Sequence, residues 1–344
     1  MVYFGKLDGV ESLERALSVP SSGLVEMMRH LDGDIMILGV AGKIGVSLAL
    51  QAREAIKAAG VQKAVYGVAR FSSTSDREKL EASGVKTIVC DLLDREQVSA
   101  LPRVKNIIFM AGRKFGTEGS EPATWAMNVL VPMLVAEHFR ESRLVVFSTG
   151  CVYPLCRIAD GGSTEDIAPA PVGEYSQSCL GRERVFEFYS EKYGTPLVLF
   201  RLNYSVDFRY GVLHDIGRAI WEGREVDNTV GYFNVLWQGD VTAAALRCLE
   251  VASVPRTILN VTGPETASVE ETARTMGRIM GKEVRFKGTP GDLNYLNDAS
   301  RMFSLFGKPR ITLDELIQLQ AEWIMNGGVS IGKPTHYEVN NGKF

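Results

Sequence analysis

Three features of the sequence predict an α/β fold: a doubly wound parallel sheet with a smaller, mainly helical C-terminal lobe. Seven short, mostly apolar runs recur along the chain. Helical patterns fill many of the intervals between them, and a glycine-rich turn directly follows the first run. The runs are 34–38, 64–68, 87–90, 106–110, 144–147, 197–200 and 257–261. Continuous apolar runs of this length suit strands buried on both faces. Their alternation with helical segments such as 46–59 and 123–139 argues for parallel strands with helices on both sides.

The chain has 344 residues, 45% hydrophobic and 23% charged, which suits a packed protein of about two domains. Its 38 basic and 41 acidic residues give a net charge of −3, against the basic surplus that nucleic-acid binding normally needs. No run of 18 apolar residues is present, so no membrane partner is expected. The opening residues lack a basic segment leading into an apolar one, and five Cys without paired spacing suit a reduced chain, so a cytoplasmic location is expected.

Taken in order, residues 1–32 form an N-terminal extension in which Ser21 or Ser22 caps a short helix, 23–31, against the outside of the sheet. Residues 33–203 build the first domain, completed by about 229–262, where the run 257–261 returns to the sheet. Residues 204–228 and 263–330 are richer in helical pattern and form the lobe. The Gly-, Asn- and Lys-rich tail from 327, with 331–344 beyond the lobe, is expected to be loosely held.

The turn after the first run reads Gly39-Val40-Ala41-Gly42-Lys43-Ile44-Gly45, a G-x-x-G-x-x-G between a strand and a helix. Glycines there permit a tight turn and a close approach of the backbone to a pyrophosphate at the helix N-terminus. A bare glycine triplet is also simply a turn; its position after a buried strand points to a dinucleotide. The second run leads into Arg70-Phe71-Ser72-Ser73, with no acid to hold a ribose 2′-hydroxyl. Arg70 and Ser72 favour a 2′-phosphate, hence NADP(H), with NAD(H) the alternative and a solvated strand-end charge the bland reading of Arg70.

From here the chain resembles the extended short-chain dehydrogenase/reductases, the NAD-dependent epimerase/dehydratase group, over about residues 33–325. The resemblance rests on the glycine turn, Cys90-Asp91-Leu92, Met110-Ala111-Gly112, Asn128 in Trp125–Val129, the string Ser148-Thr149-Gly150-Cys151-Val152-Tyr153-Pro154, Tyr175, and Phe233–Val241. It implies a Rossmann-type domain and a substrate lobe, often in a homodimer packed through helices 123–139 and 175–193. It implies Asp91 and Leu92 beside the adenine, and Ala111, Gly112 and Asn128 near the cofactor. It also implies a sugar-type substrate whose hydroxyl or carbonyl is handled by Tyr175 as acid/base and Thr149 as hydrogen-bond partner.

The family places a Lys four residues after its tyrosine, to lower the phenol's pKa and hold the ribose. This chain has Cys179 there, and a thiolate would raise the phenol's pKa instead. Three readings stand: the charge of an oxidised nicotinamide suffices; Arg182, Arg113 or Lys114 substitutes; or catalysis has been lost and the protein is a dinucleotide-binding regulator.

Cys151-Val152-Tyr153-Pro154 resembles an element of GDP-fucose synthases and related 3,5-epimerases, in which the Cys moves a proton beside a ketone and a His is its partner. His214 is the candidate partner here; the alternatives are a small buried Cys and a surface His. Gly150 and Cys151 stand where 4,6-dehydratases carry an Asp-Glu pair, which argues against that elimination. Without C-x-x-C or H-x-x-H spacing, no metal site is expected among Cys151, Cys156 and Cys179. There is no G-x-S-x-G elbow and no Walker A sequence.

Overall fold

The computed structural model describes residues 7–342. The strands Ile35–Leu38 (β1), Val65–Ala69 (β2), Lys86–Val89 (β3), Asn106–Phe109 (β4), Arg143–Thr149 (β5), Leu197–Leu202 (β6) and Thr257–Val261 form one seven-stranded sheet. Every pairing in it is parallel. Across the sheet the order is Thr257–Val261, β6, β5, β4, β1, β2, β3. Each expected run supplies one of these strands. β1 and β4 are buried at every residue, as strands covered on both faces must be. The strand order reverses between β1 and β4, and a doubly wound sheet opens a crevice for ligands at the carboxyl ends of its strands there.

Three helices flank the start of the sheet: Val10–Ser18 (α1), Ser22–His30 (α2) and Gly45–Ala59 (α3). The Ser21 hydroxyl caps α2 by accepting from the Leu24 amide at 3.2 Å. α2 packs on α3, outside the sheet. The sequence reading missed α1. Its Leu13, Ala16 and Leu17 are buried in the core of the C-terminal lobe, so the extension bridges lobe and sheet. That lobe is built on the helices Val212–Trp221, Val269–Met280 and Leu313–Met325, which pack on one another around Phe208, Trp237, Met276 and Trp323.

Two expectations need correction. The helix anticipated over 123–139 runs without a gap from Glu121 to His138 but is not regular: it widens into a π-turn at Ala126–Leu130. Pro132 has no amide hydrogen, so the carbonyl four residues before it, that of Asn128, loses its helical donor. The Val131 amide bonds Ala126 O instead. The widened turn carries Asn128, which is fully buried.

Among the described residues, to 342, the tail is anchored at several points; 343 and 344 lie outside them. Thr335 and Tyr337 are buried, the Thr335 amide donates to Asp215 Oδ2 at 2.7 Å, and the Tyr337 hydroxyl donates to Asp227 O at 2.8 Å. Gly342 lies so close to Gly173 that a Cβ on Gly173 would stand 2.3 Å from its carbonyl oxygen. The composition of the segment suggested mobility; its anchors are a few side chains that meet the lobe from far away in sequence.

Candidate active site

The glycine turn joins β1 to α3 in the space that the switch point leaves. Gly39 has a φ of +91°, and a Cβ there would lie 2.8 Å from the Ala111 amide nitrogen. On Gly45 a Cβ would lie 2.3 Å from Val40 O. Only glycine fits either position. Ile44, the residue before α3, provides no side-chain cap, so the first amides of a fifteen-residue helix are not capped from that position. Together the tight turn and these amides fit a pyrophosphate.

The remaining cofactor candidates lie along the same carboxyl edge of the strands. Arg70 and Ser72 are exposed beyond β2, half-buried Asp91 and buried Leu92 follow β3, and Ala111 and Gly112 follow β4. Asn128 is held rigidly. Its Oδ1 accepts from the Arg113 amide at 2.9 Å and from Arg182 Nη2 at 2.6 Å, and its Nδ2 donates to Arg113 O and Ser178 Oγ, each at 2.9 Å.

A cavity of about 220 Å³ lies between the strand ends and the lobe. Its wall includes Lys43, Lys114, Thr149, Cys151, Tyr175 and Tyr210. Thr149 ends β5, and its Oγ1 accepts from the Cys151 amide at 3.2 Å, which shapes the short 3₁₀ turn Gly150–Val152. Tyr175 projects from the first turn of the helix Gly173–Tyr193, and its hydroxyl is hydrogen-bonded to Thr149. Thr149, Cys151 and Tyr175 are thus brought together.

Burial holds the Tyr175 phenol well above its ordinary pKa of 10.0; Cys179 and Cys151 push the same way, and Arg182 and Thr149 oppose them. Cys179, one turn along on the same helix face, is fully buried, and burial raises its thiol too. Arg182, a further turn on, is buried and donates to Phe147 O at 2.8 Å as well as to Asn128. Lys114 Nζ stands 5.6 Å from the Tyr175 ring centroid, and burial lowers its pKa.

His214 is not brought to Cys151. It lines a separate, charged cavity in the lobe, its Nδ1 2.9 Å from Phe208 O and its Nε2 2.9 Å from Ser330 Oγ. It is buried, so neither expectation for it, proton donor facing Cys151 or surface histidine, describes its place. Cys156 lies beside the carbonyls of Asn294 and Leu296.

Several wall residues escaped the sequence reading. Tyr204 has a left-handed φ of +43°, a strained conformation for a tyrosine. Tyr204 and Tyr210 line the cavity with Gln238 and Thr335. Buried Tyr295 feels Cys151 electrostatically, and its carbonyl accepts from Asn203 Nδ2 at 3.0 Å. Thr335 gave no signal at all in the sequence. Lys43, expected to serve the cofactor through its place in the turn, also lines the cavity, its ammonium buried against the Tyr210 and Phe115 rings.

A family model described as the NAD dependent epimerase/dehydratase family matches residues 35–206, half of the chain. No curated protein matches it in sequence. Among solved structures, a mutant UDP-glucuronic acid 4-epimerase from Bacillus cereus, with UDP-4-deoxy-4-fluoro-glucuronic acid and NAD, superposes with a TM-score of 0.71. It is 17% identical over 85% of this chain and 98% of that one. UDP-glucose 4-epimerase from Thermus thermophilus, with NAD, gives 0.69 at 20% identity over 84% and 98%. A dTDP-glucose 4,6-dehydratase from Bacillus anthracis, with NAD, gives 0.72 at 17% over 84% and 96%. At these identities the likeness is one of fold.

Proposed function

Because this chain belongs to the NAD-dependent epimerase/dehydratase family, we propose that it is a dinucleotide-dependent oxidoreductase or epimerase acting on a hydroxyl or carbonyl of a sugar-like substrate. The observation that carries this reading is the hydrogen-bonded pair Thr149 and Tyr175 on the wall of one cavity at the strand crest. The cofactor would lie over the glycine turn, with its pyrophosphate on the first amides of α3 and its nicotinamide end toward Ala111, Gly112 and Asn128. When bound, it accepts or returns hydride at the substrate carbon. Exposed Arg70 and Ser72, with no acid at the end of β2, favour the 2′-phosphorylated form, although the structural neighbours were solved with NAD.

The chain's own residues manage the proton. Tyr175 gives it to, or takes it from, the reacting oxygen, and Thr149 orients that oxygen. With its pKa raised, Tyr175 is a neutral phenol near pH 7, suited to donate. Arg182 supplies the cation that Cys179 cannot: it acts on Tyr175 through space and fixes Asn128 beneath the site. Cys151, on the same wall, is the candidate for proton transfer at a neighbouring carbon, without His214, which lines a different cavity, as its partner. The half-exposed Trp125, Leu130 and Phe188 offer the helix faces of a homodimer.

Tyr175→Phe tests the reading. Its turnover of nucleotide sugars and sugar acids, followed by nuclear magnetic resonance, should fall at least about a hundred-fold while coenzyme affinity stays within about two-fold. Undiminished turnover in the variant would overturn the assignment. Cys179 favours a second reading, a dinucleotide-binding regulator without turnover; under it the wild-type chain converts no sugar while still binding coenzyme.

A further inference from the structure

The cavity wall carries a charge that the reaction outlined above does not use. Among the described residues lining it, the charged ones are Lys43 and Lys114, and none is a carboxylate. Lys43 leaves the glycine turn toward the lobe. Its Nζ lies 3.6 Å from the Tyr210 ring centroid and 4.3 Å from that of Phe115. The nitrogen is buried and has no hydrogen-bond partner among the described residues. Aromatic faces compensate a cation only in part, and an ammonium without an anion is costly to bury.

Burial accordingly lowers the Lys43 pKa to about 8, with Lys333 and Lys114 adding repulsion and Asp215 opposing. Asp215 is already committed, accepting from both the amide and the hydroxyl of Thr335 on Oδ2. A neutral sugar in this cavity would leave the ammonium uncompensated; an acidic substituent would complete it.

We propose that the sugar-like substrate carries an anionic group, carboxylate or phosphate, on the reacting unit itself, and that Lys43 anchors this group while Tyr175 and Thr149 hold the reacting oxygen. The inference rests on the reading of the cavity as the substrate site. It adds a specificity determinant: the turn that cradles the cofactor also selects the substrate by charge.

Calorimetric titration of the full chain, free and saturated with NAD+ or NADP+, uses D-glucuronate, D-glucose 6-phosphate and D-glucose as probes. At least one acidic probe should bind about ten-fold tighter than glucose, and the one that does identifies the anion as carboxylate or phosphate. Lys43→Met should abolish that preference and Lys43→Arg should keep much of it. Equal affinity for acidic and neutral probes overturns the proposal, as does an acid preference that survives Lys43→Met or no binding of any probe. Should Lys43→Met fail to fold, Lys43→Gln replaces it. Absence of coenzyme binding defeats the dinucleotide reading alone, because the charge preference is read on the free chain too.

Discussion

Cys179 lies one helical turn beyond Tyr175, fully buried, where a cation would lower the phenol's pKa and a thiol cannot. Oxidation of a hydroxyl needs Tyr175 to accept a proton, so it must first ionise. A raised pKa means that the ionised fraction grows with pH throughout the neutral range. The rate of the oxidative direction should therefore climb with pH from 6 to 9, about ten-fold per unit. Cys179→Lys should move this limb at least about one unit lower, as a pH profile of kcat/KM would show. An unshifted limb would mean that the inserted ammonium does not reach the phenol. The departure at 179 was legible from spacing alone. That Arg182, rather than Arg113 or Lys114, is the buried one bonded to Asn128 and Phe147 O was not, because spacing says nothing about which way a long side chain folds back.

At the scale of elements, the helix Gly173–Tyr193 is fixed to the sheet by charge as well as by apolar packing. Glu183 is fully buried. It accepts from Arg201 Nε at 2.9 Å, from Arg201 Nη2 at 2.7 Å and from Ser148 Oγ at 2.5 Å, joining the helix to β6 and β5. The Arg201 guanidinium also stands 4.7 Å from the Tyr153 ring, whose hydroxyl bonds Asn260 Oδ1 on the strand Thr257–Val261. Glu183→Ala leaves a guanidinium buried without its anion and should cost about 3–5 kcal/mol in chemical denaturation. A loss below about 1 kcal/mol, what an exposed pair contributes, would contradict this account. The strands were legible because runs buried on both faces are apolar throughout. The π-turn at 126–130 was not, since Pro132 also suits the first turn of a fresh helix and apolar spacing continues through the widened turn. Pro132→Ala restores the missing donor and should let regular helix form, freeing Asn128 from Arg182. Weaker coenzyme binding by about ten-fold at unchanged thermal stability is the expected result.

At the scale of the whole molecule, the chain closes on itself. α1 enters the lobe core, and the tail passes from the lobe to the cavity wall at Thr335 and on to Gly173, two residues before Tyr175. Such long-range closure leaves no periodic trace in a sequence, which is why the tail's composition suggested a loose end. Removing residues 329–344 should uncover the cavity, and Cys151, now 8% exposed, should react with iodoacetamide at least about ten-fold faster while fully buried Cys179 and Cys248 stay protected, as peptide mapping would show. Equal Cys151 rates would mean that the tail does not cover the site. Phe188, 59% exposed on the helix Gly173–Tyr193, is the proposed dimer contact, so the wild type should sediment as a dimer and Phe188→Glu as a monomer; a monomeric wild type would contradict the proposed contact.

The proposed function requires a pyridine dinucleotide across the carboxyl ends of β1, β2 and β4. Calorimetric titration of the wild-type chain and Arg70→Asp with NAD+ and NADP+ addresses it most directly. Micromolar binding is expected, about ten-fold tighter for NADP+ in the wild type and reversed in Arg70→Asp. No binding of either coenzyme at millimolar concentration would contradict it.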